Sequence, residues 1–132
     1  VEELGLTHVR LVHARAEDGA RNPEHREYYD LAVARAVAPL PVLCELMLPF
    51  VAVGGRMLCY KGPAAQDELE AGGRAARMLG GGALEVLPAD VPGQPDWRHI
   101  IVACRKKEKT VRQYPRKAGT PGRCPLGTGA KE

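Results

Sequence analysis

The chain has 132 residues, 45% of them apolar, and a formal net charge of +3. That is enough material for one globular domain with its own core, and no disulfide framework is needed. No run of about eighteen apolar residues occurs and no charged-then-apolar leader opens the sequence, which excludes a membrane-spanning helix and points to the cytoplasm.

An opening helical stretch, VEELGL, precedes THVRLVHA (residues 7–14), whose alternation predicts a strand ending at RAED. The polar residues Asp18 to Arg26, with Pro23 among them, predict a short helix or loop. YYDLAVARA (28–36) is apolar on both faces, as in a strand buried inside a parallel sheet. In PLPVLCELMLPFV two prolines suit a helix start, and apolar residues then recur at helical spacing. VGG (53–55) reads as the break after that helix, and RMLCYKG (56–62) as the next strand.

PAAQDELEAGGRAARMLGGG is Ala-rich with alternating charge, an exposed helix weakened by Gly72 and Gly73 and ended by the triple glycine. LGGGAL follows a helix and precedes a strand, the reverse of the order that points backbone amides at a phosphate. ALEVLPADV and WRHIIVACR are two more strands on either side of the turn-forming PGQPD. The whole order predicts a three-layer α/β sheet, parallel where helices intervene, with an antiparallel hairpin at one edge.

Four cysteines, Cys44, Cys59, Cys104 and Cys124, stand apart without CxxC spacing, three of them inside apolar runs. Buried, reduced thiols are expected rather than a zinc site. From residue 106 onward periodicity is lost, so residues 1–105 are read as the folded part and 106–132 as an extended basic tail. Residues 105–132 hold nine Lys or Arg against two Glu, whereas the preceding residues are acidic on balance. Such asymmetry suggests a polyanion partner, nucleic acid before membrane, or else a solubilising terminus.

In open α/β sheets ligands lie beyond the carboxyl ends of the strands. Glu17 follows one predicted strand and can accept from an exocyclic amine or serve as an ordinary helix-start acid. Arg35 ends an apolar strand, so its stem needs a carboxylate or an anionic ligand if buried. Lys61 ends the next strand beside Gly62 and Pro63, facing a ligand or solvent. Arg98 and His99 open the last strand and face the same end of the sheet or the solvent. No Ser, His and Asp constellation is present.

ARAED, YDLAVARAVAPLPVL, LPFVAVGGRMLCYKGP, RHIIV and YPRKAGTP together resemble the glucose-inhibited division protein B family, from about Leu4 to Leu126. These are the guanine-N7 methyltransferases of bacterial 16S ribosomal RNA. The resemblance implies a Rossmann-like class I methyltransferase sheet that uses S-adenosyl-L-methionine. It maps Ala16 and Glu17 to the border of the cofactor's adenine and Arg35 to the cofactor site. Lys61, Arg98, His99 and the tail bases Arg112, Arg116 and Lys117 are then the expected contacts to phosphates of 16S rRNA or the small ribosomal subunit. The family's glycine-rich loop and the acid that follows it do not occur, so the sheet is expected to be partial, lacking the first strands. The alternative expectation is a non-catalytic RNA-binding remnant. Trp97 stands where the family commonly has a short polar residue.

Overall fold

A computed structural model describes residues 9–35, 38–89 and 99–129. The chain enters through an irregular stretch and a single turn of helix, α1 (Ala16–Gly19), followed by turns to residue 27. Strand β1 (Tyr29–Arg35), helix α2 (Leu40–Met47) and strand β2 (Val51–Lys61) form a crossover unit, and β1 pairs parallel to β2. A 3-10 turn (Pro63–Glu68) runs into helix α3 (Leu69–Met78), then strands β3 (Gly81–Pro88) and β4 (Ile100–Lys106). The sheet order is β1-β2-β4-β3, with β4 antiparallel to both neighbours. The parallel unit and the antiparallel edge hairpin are as the sequence predicts, within one mixed α/β sheet.

Helices α2 and α3 pack together on one face of the sheet, and the core lies between them and the strands. Leu40, Leu48, Met57 and Leu79 are fully buried there, each contributing about 1.5–3 kcal/mol by leaving water. At Gly72 the two helices approach closely, since a Cβ there would lie 2.9 Å from the Leu40 Cβ. Its absent side chain lets α3 dock, so it is a packing residue as well as a weak helix former. All four cysteines are buried, and burial pushes the Cys59 thiol up to about 11.

Four expectations are corrected. The opposite face of the sheet carries no helix among the described residues, so the structure has two layers where three are expected. In consequence β1 is not buried on both sides: Leu31 is 53% and Val33 67% exposed. Residues 9–14 form no strand, because their alternation finds no neighbouring ladder, and Leu11 is 81% exposed. The VGG segment does not break the helix, which ends earlier, but lies within β2. Gly54 there has φ +94°, and Gly55 lets the Asp30 carbonyl come closer than a Cβ would allow, which absorbs the irregular register between β1 and β2.

The corner between α2 and β2 is closed from β4. The Lys106 ammonium, wholly buried, donates to the carbonyls of Leu48 at 2.7 Å and Val51 at 3.0 Å, and pairs with Glu27 at 3.3 Å. It thereby ties the turn after α2 to the first residue of β2. Burial pulls its pKa below the ordinary value despite the Glu27 charge.

From there the chain is not an extended tail, which is a fifth correction. Tyr114, Pro115, Thr120, Pro121, Cys124 and Leu126 are buried against the helices, and residues Thr120–Arg123 form a last turn, α4. Side chains of the preceding body hold its backbone. Arg21 donates to the Pro115 carbonyl, and Arg26 to those of Thr110, Val111 and Tyr114. Periodicity could not show this, because such a segment is ordered by side chains distant in sequence rather than by its own repeat.

Replacing Lys106 by Met leaves Glu27 and two corner carbonyls without their cation. The expected loss is about 3 kcal/mol, read as a lower urea midpoint; an unchanged midpoint would refute the corner's role.

Candidate functional site

The carboxyl ends of β1 and β2 and the approach to β4 gather one cluster. Arg35, the last residue of β1, is exposed and holds its guanidinium carbon 5.2 Å from the centre of the Tyr60 ring. Tyr60 lies opposite Arg35 in the parallel register. His99, just before β4, stacks on the same ring with centroids 4.9 Å apart and planes 12° apart. The antiparallel pairing of Lys61 with Ile100 brings His99 to this end of the sheet. The result is a cation, a phenol ring and an imidazole in succession, open on the uncovered face. Such a surface suits a planar, electron-rich or anionic ligand.

Arg35 therefore needs no buried counter-ion, since β1 is an edge strand with an open face. Tyr60 is the site residue that sequence reasoning misses. Its signal was an aromatic one position before Lys61 at a strand end, legible only once the register sets it between Arg35 and His99.

Lys61 points to the opposite face, as the alternation of a strand requires. Its ammonium is buried, donates to the Ala38 carbonyl at 2.6 Å and pairs with Glu68 at 3.2 Å. Glu68 also accepts from the Leu40 amide at 2.7 Å, so the pair fastens the start of α2 to the turn after β2. Neither a solvent-facing nor a phosphate-facing lysine is seen.

Ala16 opens α1 and lines a cleft of about 230 Å³ with Val12, Gly19, His25, Tyr29 and Phe50. Tyr29 stands at the opposite end of β1 from Arg35, and among the described residues no hydrogen bond or ion pair joins Ala16 or Glu17 to Arg35. Glu17 is only 6% exposed. Its carboxylate accepts from the Gly119 amide at 2.8 Å and meets Arg15 at 3.5 Å. Burial alone would raise its pKa, but the Gly119 amide, its own backbone amide and the Arg15 charge outweigh that and hold it below 4.5. The donor set fits an S-adenosylmethionine site in part: Arg35 is available, whereas Ala16 and Glu17 do not converge on it here.

Among the tail bases, Arg112 and Lys117 are exposed. Arg116 is not, because it grips the wholly buried Glu45. Its backbone amide donates to Glu45 Oε2 at 2.7 Å, its Nη2 to Oε1 at 2.8 Å, and the same Nη2 to the Cys124 carbonyl at 2.6 Å. A carboxylate without water needs such a partner. Arg98 and Trp97 lie outside the described residues. No group of three metal-ligating side chains gathers among the described residues, and none of the described helices is long and apolar enough to cross a membrane.

Because folding lowers the Glu17 pKa, its contribution is complete above the unfolded value and is lost as pH falls through the folded one. The stability gap between the chain and Glu17→Gln is expected to be about 1–2 kcal/mol near neutrality. It should close as pH drops below 4.5; a gap that stays constant in urea titrations from neutral to acid pH would rule out the carboxylate's part.

The sequence matches the family described as rRNA small subunit methyltransferase G over residues 1–94. Proteins named ribosomal RNA small subunit methyltransferase G are similar over nearly the whole chain. The one from Leuconostoc mesenteroides is 49% identical over 126 residues, covering 96% of this chain and 52% of the relative. That from Deinococcus deserti is 48% identical over 130 residues, 98% of this chain and 53% of the relative, and that from Deinococcus radiodurans 48% over 130 residues, 98% and 51%. The chain thus spans about half the length of the curated relatives it matches. The family match over residues 1–94 and the extensive identity to these relatives show that the chain belongs to the rRNA small subunit methyltransferase G family.

Proposed function

We propose that this chain supplies part of the cofactor site and of the RNA-facing surface of an S-adenosyl-L-methionine-dependent enzyme that methylates guanine N7 in 16S ribosomal RNA. The observation that carries the reading is the open Arg35, Tyr60 and His99 stack beyond the carboxyl ends of β1 and β2, where this class of sheet holds its ligands. Family membership and the relatives' names support the substrate class.

The cofactor, when bound, supplies an electrophilic methyl group. Guanine N7 presents a lone pair that needs no prior deprotonation, so the residues of this chain have only to bind, orient and exclude water. No His or Cys base is required. In this reading Ala16, Glu17 and Arg35 border the cofactor. Arg98, His99, Arg112 and Lys117 meet RNA phosphates from the protein's cytoplasmic side of action, the ribosomal subunit or its RNA. Lys61 and Arg116 act indirectly, through the elements they fasten.

The test joins this chain to the remaining portion of the Leuconostoc mesenteroides relative and follows labelled methyl transfer to 16S rRNA, with digestion to identify 7-methylguanosine. Transfer by the fusion is expected, and Arg35→Ala should lower it by at least about tenfold, the effect of one lost charged contact. A folded fusion that leaves the RNA unmethylated, beside an active whole relative, refutes the proposal.

A further inference from the structure

The segment from Arg112 to Arg123 combines two properties that seldom coincide. Three of its basic side chains are exposed, yet its backbone is held at residues 115, 116 and 119 and again just beyond it at 124. Arg112, Lys117 and Arg123 are exposed, and among the described residues none of the three forms an ion pair. Arg21 holds the Pro115 carbonyl, Glu45 holds Arg116, Glu17 holds the Gly119 amide, and Arg116 holds the Cys124 carbonyl. Gly119, with φ +90°, lets the chain turn into α4 at the point where Glu17 grips it.

We propose that Glu17 and Glu45 are positioning residues: each fastens this segment, so that Arg112, Lys117 and Arg123 form a preformed surface for the phosphates of RNA. The inference rests on the RNA-contact reading above and adds how the contact is held. A loose basic arm must be ordered when it binds, and that ordering opposes affinity for every residue it fixes. A fastened segment has already been ordered by folding. Two acids close to a basic surface therefore strengthen its hold on a polyanion, opposite to what their charge alone would do. Glu17 carries the idea most directly, because the amide it holds lies between Lys117 and Arg123. It also links the segment to α1, which borders the cofactor in the reading above.

Two conservative variants of the full chain separate the effects. Glu17→Asp keeps the charge but shortens the reach to Gly119, whereas Glu17→Gln loses the charge and keeps an acceptor at the same reach. Affinity is measured by fluorescence anisotropy with a labelled single-stranded RNA oligonucleotide at low and moderate salt, and trypsin cleavage after Lys117 and Arg123 is followed in parallel. Fastening predicts that Glu17→Asp binds at least about fivefold more weakly, roughly the cost of ordering one residue, and is cut faster than Glu17→Gln, whose RNA affinity stays close to the parent. Charge alone predicts the reverse order: Asp unchanged and Gln tighter. That reverse order, or equal affinities in both variants, overturns the inference while leaving the RNA contact standing. An absence of RNA binding by the parent chain overturns the contact reading and the inference together.

Discussion

The wholly buried Lys106 ammonium sits where β4 ends, α2 stops and β2 begins. A lysine can occupy such a place only if every proton on its nitrogen finds an acceptor, and Leu48, Val51 and Glu27 provide them. That requirement propagates. Glu27 also accepts from the Thr110 amide, and the Thr110 hydroxyl donates to the Leu79 carbonyl at the end of α3. Arg26 beside it collects three carbonyls of the following segment. One buried cation thus fixes the bottom of the sheet, the ends of both helices and the direction in which the chain leaves the last strand.

The uneven charge of the sequence takes on a different meaning in this light. Three acids of the body, Glu17, Glu27 and Glu45, are turned inward onto the carboxyl-terminal segment. Two bases of that segment, Lys106 and Arg116, are consumed in return. What remains exposed is a smaller set of cations on a backbone that cannot move freely. An acidic body and a basic terminus are therefore complementary halves of one folded unit before they are a surface for any partner.

The open face of the sheet is the second organising feature. Leu31, Val33 and Arg35 on β1, with Tyr60 on β2, face away from the helices, and the strand-end stack lies on this side. Both the accessibility of Arg35 and the absence of a ladder for residues 9–14 follow from it. The curated relatives are about twice as long as this chain, and a site built from Arg35 together with Ala16 requires more of the sheet than the described residues form.

By itself the sequence determined most of the elements and their class. Tyr29–Arg35, Leu40–Met47, Leu69–Met78 and the two last strands were legible, because apolar spacing and proline or glycine punctuation are local properties. Arg35 and His99 were legible as strand-end residues for the same reason. Only the tertiary structure decided which side chains meet. It placed Tyr60 between Arg35 and His99, turned Lys61 inward onto Glu68, used Gly54 and Gly55 to adjust a strand register, and closed Glu45 around Arg116 across 71 positions of sequence. It also left residues 9–14 outside the sheet, since alternation specifies a strand only where a neighbour exists to complete its hydrogen bonds. Pairing of buried charges has no period and no motif, so a segment held by it reads as a loose tail until the partners that hold it are seen in space.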